Sequence, residues 1–367
     1  MKIKFLNLKH DYREIEEIWN GLLDQCEHSY FLSWGWTENW IACMPPGSDV
    51  RLAVISNRDK PILAFFIGKI RYWRHGFIRS DSYLLNETGN EEYDKTHIEY
   101  NAILSSSETR NSLLDVMKLL PKDWDEIYFP GLDCNAFPGN QLQEFVGPYL
   151  VVVEKKVPSP YVDLEIARKL DGSYLPASSN SRYQVRRSYR LYKERGPVVL
   201  ELAQDLTTAL KFYDEMVALH QKSWNARHKV GVFESQAFYQ FHRRLVEMRA
   251  SHGEIQLLRV LVGESTLGCL YNFVYRGKVY SYQSGLTYEG DNRLKPGLIC
   301  HLEAVNFNSR LGYSSYDFLG GAERYKISLA THQRELAWVR VQKPKPEFWV
   351  ESNLRKLRDR ILTWTLG

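Results

Sequence analysis

Asp317 and Lys326 stand nine positions apart across the pair Gly320-Gly321, within the stretch YSSYDFLGGAERYK that ends at Lys326. A carboxylate at the end of a strand can orient or deprotonate an amine, and a lysine can hold a phosphate or steady a developing oxyanion. The same two side chains would also serve as an ordinary structural ion pair. Tyr325, next to the lysine, offers a phenolic proton for a leaving group, or simply a half-buried ring. His220 and Trp224 are spaced i, i+4 and so share one face of a helix. An imidazole titrates near neutrality and suits a general base for an amine, though a helix-face histidine bonded to a neighbour has the same spacing.

A second group of residues is built for anions. Arg293, Lys295, Pro296, Gly297 and Leu298 open a helical segment. A helix start exposes unpaired N–H groups and a positive dipole end, proline suits the first turn, and glycine lets a ligand approach the backbone. Upstream, Arg182, Arg186, Arg187, Arg190, Lys193 and Arg195 lie in one basic helix, interleaved with Tyr183, Tyr189 and Tyr192. Positions 182, 186, 190 and 193 fall on one face. Such a stripe repels itself and points to an anionic partner: CoA phosphates, a sugar nucleotide, a lipid-linked phosphate or tRNA. A solvated basic face is the plainer alternative. No H-E-x-x-H, G-x-S-x-G or Walker sequence occurs, which argues against zincin, serine hydrolase and P-loop chemistry.

The elements that must position these groups alternate between α and β. Strands are expected over 2–6, 50–56, 61–71, 126–129, 149–157, 197–202, 255–262, 267–276, 278–287, 315–319 and 335–342. Helices are expected over 12–26, 110–120, 141–145, 181–195, 206–227, 235–251, 296–311 and 349–363. Pro158 and Pro160 suggest a boundary, giving domains at 1–158 and 159–345 and a basic terminal helix at 346–367. The hairpins at 50–71 and 255–276 hold similar places in the two halves, which suggests a duplicated unit. Trp34, Trp36, Trp40 and Trp73 could line a sugar or peptide platform, or fill a core.

Composition limits the possibilities. The chain of 367 residues is 44% hydrophobic and 25% charged, as expected of a globular protein of one or two domains. Lys+Arg of 48 against Asp+Glu of 44 leaves a net charge of only +4, so electrostatic function must come from local clusters. Five scattered cysteines without a C-x-x-C point to reduced thiols and a cytoplasmic setting rather than disulfides or zinc. No signal peptide or membrane span is expected.

The segments RLKPG, LGYSSYDFLGGAERYK, HQKSWNARHKVGVF and SRYQVRRSYRLYKERG resemble the GNAT superfamily of N-acyltransferases. They are most similar to its CelD/BioF2-like branch, related to the FemAB-type peptidyltransferases. The resemblance covers residues 160–342 well, and the first half only in its order of elements. It implies an α/β fold of tandem GNAT-like domains, each a mixed, mostly antiparallel central sheet flanked by helices, with the first domain degenerate. It implies an acetyl-CoA or other acyl-CoA donor between two splayed strands, its pyrophosphate on Arg293, Lys295, Pro296, Gly297 and Leu298, its thioester beside Gln283, Ser284 and Gly285. Asp317, Lys326, His220 and Tyr325 would then be catalytic, and Arg182, Arg186 and Trp224 would bind the acceptor, an amine or hydroxyl of a cell-envelope, polysaccharide or small-molecule precursor. No metal is implied. The loop departs from the usual Q/R-x-x-G-x-G/A pattern, with Pro296 and Leu298 in the glycine positions. That departure leaves room for the aminoacyl-tRNA donor of FemAB-type relatives, or for a non-catalytic scaffold.

Overall fold

The computed structural model describes residues 1–74, 78–96, 98–106, 113–134, 148–170, 174, 176 and 178–354. The chain divides into two units. The first holds Met1–Trp34, Met44–Lys156 and the residues from Leu336 on; the second holds Gly35–Cys43 and Val157–Glu335. The expected domains differ from these units: residues 35–43 and 157–158 go with the second unit, and 336–345 together with the separately expected terminal segment go with the first. The physical reason for the latter is strand pairing, because residues 336–342 hydrogen-bond with Glu126–Asp133.

The first unit is built from β1 (Lys2–Asn7), α1 (Tyr12–Leu23), β2 (Val50–Asn57), β3 (Lys60–Arg74), β4 (Ile78–Leu85), β5 (Leu104–Ser105), α3 (Leu113–Leu119), β6 (Glu126–Asp133) and β13 (His332–Gln342). Helix α2 (Trp34–Cys43) lies between α1 and β2 in sequence. Strands run in the order β1-β2-β3-β4-β6-β13, with β5 on β3. The β2–β3 turn carries Arg58 and Asp59 at φ +48° and +63°. Two successive left-handed residues match the twist of a tight hairpin, in keeping with the hairpin expected over 50–71. All neighbours are antiparallel except β4 and β6, which pair in parallel over Ser82–Leu84 and Glu126–Tyr128.

The second unit contains the rest: β7 (Leu150–Asp163), α4 (Leu164–Lys169), α5 (Ser179–Lys193), β8 (Val198–Leu202), α6 (Leu206–Asn225), α7 (Gln236–Arg249), β9 (Ile255–Val262), β10 (Ser265–Tyr275), β11 (Lys278–Leu286), α8 (Pro296–Arg310), β12 (Ser315–Asp317) and α9 (Arg324–Leu329). Its order, β8-β9-β10-β11-β12-β7, repeats that of the first unit strand for strand. The chain therefore has the tandem, mostly antiparallel arrangement expected. Pro158 and Pro160 stand just after the boundary between the units, at Lys156–Val157, but they do not end the strand. They lie within β7, where both use carbonyls to accept bonds, from Gly321 N at 2.9 Å and Phe318 N at 3.0 Å. A proline lacks only the donor, so these positions tolerate it.

Other expectations shift at their ends. The strand expected to reach Leu319 stops at Asp317, and β4, β5, α4 and α9 were not anticipated. The helix at 141–145 lies outside the described residues. The terminal helix begins earlier than Trp349, at residue 346, and is described to 354. The tryptophan platform is not present as a group: Trp36 and Trp40 are buried while Trp73 is exposed. Trp36 packs edge-on against Phe241, Phe273 and Tyr282 at 5.0–6.2 Å between ring centroids.

One buried carboxylate ties several strands of the first unit. Glu126 accepts from Arg74 Nη1 at 2.6 Å, Ser82 Oγ at 2.7 Å, Gln342 Nε2 at 2.9 Å and Arg340 Nη1 at 3.2 Å. These partners come from β3, β4 and β13. Burial pushes its pKa up, but the Arg74 hydrogen bond and the two guanidinium charges outweigh that and hold it down at about 2. Its contribution to stability is therefore present above the ordinary carboxylate range and fades as the pH falls toward 2. Glu126→Gln is expected to cost about 3 kcal/mol in urea unfolding at pH 7, with the gap from wild type closing at low pH.

Candidate active site

The site begins where two parallel strands part. β11 and β12 share three register pairs only: Lys278 with Ser315, Val279 with Tyr316, and Tyr280 with Asp317. Past that point β11 stays with β10 as far as Leu286, through a bulge at Tyr282 where the register slips. The chain after Asp317 instead follows β7 through Phe318 and Gly321. Gln283, Ser284 and Gly285 thus continue along a strand that β12 no longer accompanies. On the face toward α6 the fit is close: a Cβ on Gly285 would fall 2.1 Å from Met216 O. Only glycine allows this approach.

The loop after β11 leads into α8. Lys295 is the N-cap residue, its amide donating to Ser188 Oγ on α5 at 2.9 Å. Pro296 occupies the first turn and no side chain caps the helix. The first intrahelical bond runs from Ile299 N to Lys295 O. Gly297 and Leu298 therefore carry N–H groups ahead of that bond, at the positive end of the helix dipole. Leu294 and Leu298 are buried pegs that fix the turn to the core. Leu286 Cδ1 lies 3.4 Å from where a Gly297 Cβ would be, so the end of β11 abuts this turn. Arg293 is less available than the sequence implied. It grips Asp291 at 2.8 Å and 3.0 Å, and this bond is the main reason the Asp291 carboxyl is lowered to about 2.

Asp317 and Lys326 meet around one turn, but not as an ion pair. Asp317 Oδ1 accepts from Leu319 N at 2.8 Å, and Lys326 Nζ donates to Gly320 O at 2.9 Å. Lys326 pairs with Glu323 at 3.3 Å. Leu319 is a buried residue at φ +61°, a conformation that L side chains seldom adopt. The two side chains brace this strained turn from its donor and acceptor sides. Tyr325 stacks on His301 with centroids 4.8 Å apart at 12°. Burial is the main cause that raises the phenol's pKa well above its usual value. His301 is buried, its Nδ1 is 3.2 Å from Tyr316 Oη, and its Nε2 has no hydrogen-bond partner. Burial, then the Lys326 charge, lower its pKa to about 3.

His220 and Trp224 do share a face of α6, one turn beyond Met216, and stack at 5.5 Å and 26°. Phe233 meets the imidazole edge-on at 5.0 Å, and Gln221 Oε1 lies 3.2 Å from Nδ1. Burial lowers the His220 pKa, so the ring is neutral at neutral pH. The basic face of α5 divides. Arg186 and Arg190 line a groove against α8, whereas Arg182 Nη1 donates to Pro176 O at 3.2 Å.

Sequence reasoning missed Ser188, Tyr316 as the partner of the packed His301, the bulge at Tyr282 and the strain at Leu319. A serine within a basic helix carries no signal of the amide it will meet 107 positions on. Ser188→Ala removes the buried acceptor of Lys295 N and is expected to cost about 1 kcal/mol in thermal unfolding. No change beyond a few tenths would mean the contact does not fix the turn.

Among the described residues no group of three or more His, Cys, Asp or Glu is placed to hold a metal ion. Nor is any described helix long and apolar enough to cross a membrane. No curated protein sequence matches this one significantly. The fold is similar to that of FemX, with a TM-score of 0.54 at 10% identity over 92% of this chain and 97% of that one. It is also similar to the C-terminal domain of a putative lysylphosphatidylglycerol synthetase from Agrobacterium fabrum, with a TM-score of 0.52 at 10% identity over 95% and 96% of the two chains. L-PGS from Bacillus licheniformis gives a TM-score of 0.51 at 10% identity over 90% and 92%. Residues 179–327 match the family model described as an acetyltransferase (GNAT) domain.

Proposed function

We propose that the chain, whose residues 179–327 match a GNAT acetyltransferase domain, is an acyltransferase that moves an acyl group from acyl-CoA, in the first instance acetyl-CoA, to an amine or hydroxyl of a cell-envelope, polysaccharide or small-molecule precursor, the acceptor class that the resemblance to CelD-like proteins implies. The observation that carries this reading is the separation of β11 from β12 beside an uncapped helix start. Gly297 and Leu298 amides, with Lys295 at the cap and Pro296 shaping the turn, hold the donor's diphosphate. Arg293 adds little while Asp291 holds it. Gln283, Ser284 and Gly285 offer a strand edge along which the donor aligns. The donor supplies the activated acyl carbon.

The chain's own side chains manage protons and charge. Asp317, oriented by the Leu319 amide, takes the proton that an acceptor amine sheds. Tyr325 holds its phenolic proton at neutral pH, so it can donate a hydrogen bond to the leaving group. Lys326 places a positive charge at the same turn, where negative charge develops. His220 is a neutral base on the α6 side, and with Trp224 it bounds the acceptor's approach. Arg182 and Arg186 serve an anionic part of the acceptor. Most of the acceleration then comes from positioning and charge stabilisation.

The basic stripe on α5 favours a second reading, an aminoacyl-tRNA donor. Acetyl-CoA at 100 times its Kd should stabilise the protein by about 2.7 kcal/mol in thermal unfolding. Stabilisation by charged tRNA instead, weakening steeply with salt, would decide for the second reading. Asp317→Asn keeps an acceptor for Leu319 N, so it should fold normally and lose about 100-fold or more in acyl-transfer rate. Full activity in that variant would remove Asp317 from the chemistry.

A further inference from the structure

Helix α5 places Arg186, Arg190 and Lys193 at i, i+4 and i+7. Like charges at this spacing destabilise a helix unless something offsets them. All three line a groove of about 570 Å³ against α8, to which Arg310 adds a fourth cation. That volume is in the range of small-molecule sites. Other arginines of this unit do find carboxylates, as Arg195 does with Glu289 at 2.7 Å, Arg243 with Asp214 at 3.0 Å, and Arg293 with Asp291 at 2.8 Å. Among the described residues, none of the four groove cations has a carboxylate within 4.0 Å. Lys193 lies 5.6 Å over the Tyr189 ring instead. The cluster is thus strongly positive, with four cations and one lining carboxyl, Glu303, that forms no ion pair with them within 4.0 Å.

The groove is not the turn at the start of α8. Glu303 and Arg310 follow Pro296 by seven and fourteen residues, which at the helical rise puts them about 10 and 20 Å further along the axis. Its other polar groups limit the ligand. Glu303 stands among the cations as a carboxyl that repels a continuous phosphodiester backbone but can accept a hydroxyl. Asn306 is engaged by the amide of Tyr174 at 2.9 Å, which fixes that end of the groove.

We propose that the groove between α5 and α8, distinct from the turn at the start of α8, binds a small ligand carrying a di- or triphosphate, gripped by Arg186, Arg190, Lys193 and Arg310, with Glu303 taking a hydroxyl of the same molecule. This rests on the reading of Arg186 as a substrate-binding side chain and not on the identity of the acyl donor. A bidentate guanidinium–phosphate contact is the strongest such interaction available here, and two arginines one turn apart can hold adjacent phosphates.

Inorganic tripolyphosphate is the probe, titrated by calorimetry into the full chain at 150 mM salt. Arg186→Glu/Arg190→Glu alters two exposed side chains and should leave the melting temperature of the unliganded protein near that of wild type. Its affinity for tripolyphosphate should fall at least tenfold, while Lys295→Ala should bind as wild type does. If Lys295→Ala loses binding and the double variant keeps it, the phosphates sit on the α8 turn and the proposal fails. Displacement of tripolyphosphate by acetyl-CoA would make the groove part of the donor site, which also overturns it. Tighter binding of a single-stranded RNA 20-mer, lost in the double variant, would reassign the groove to nucleic acid. Absence of any binding at millimolar tripolyphosphate would end the proposal, while leaving donor binding to be judged by its own stabilisation by acetyl-CoA.

Discussion

Three register pairs between β11 and β12 hold the second unit's parallel strands together, and then each strand is claimed by a different neighbour. β11 is committed to β10 through a bulge, and the chain after Asp317 is committed to β7. Parallel strands that lose their ladder expose backbone donors and acceptors that must find other partners. Everything else at the site follows from that divergence. α8 enters beside it with a bare first turn, α6 presses on Gly285 from the other side, and the turn at Leu319 takes the strain of redirecting the chain. Asp317 and Lys326 brace that turn through backbone contacts, so the groups best suited to proton transfer also maintain the geometry they would use.

The first unit repeats the topology and shows what the arrangement becomes without those groups. Its parallel strands also share three pairs, Ser82–Leu84 with Glu126–Tyr128. Tyr128 holds the register position that Asp317 holds in the second unit. The Arg340 guanidinium covers the Tyr128 ring at 4.3 Å and the Tyr72 ring at 5.6 Å. Glu126 draws two arginines inward at the start of the pair. A carboxylate there is spent on holding strands together.

Much of this was legible from pattern. Hairpins with apolar strands and tight polar turns, and the helix opened by Pro296, are local signals, because neighbours in sequence decide them. Asp317 and Lys326 were singled out by type and spacing, and both brace one turn, while Tyr325 stacks on His301. What sequence could not supply was the partner of each group. Arg293 read as a free cation although Asp291 sits two residues before it, because an i, i+2 pair in a loop depends on a bend that composition does not encode. Ser188, His301 and Tyr316 matter through contacts made only after the sheet has formed. Pro158 and Pro160 fell beside the boundary between the units, yet the strand runs on through them: a proline ends a strand only when its missing N–H is needed, and here the partners call on its carbonyl.

Amide hydrogen exchange, followed by mass spectrometry with and without acetyl-CoA, addresses the central claim most directly. Ligand protection should concentrate in two peptides, one spanning Gln283–Leu286 and the other spanning Gly297–Leu298, with little change in the first unit. Protection that leaves both peptides untouched while the ligand demonstrably binds would place the donor elsewhere and contradict the account.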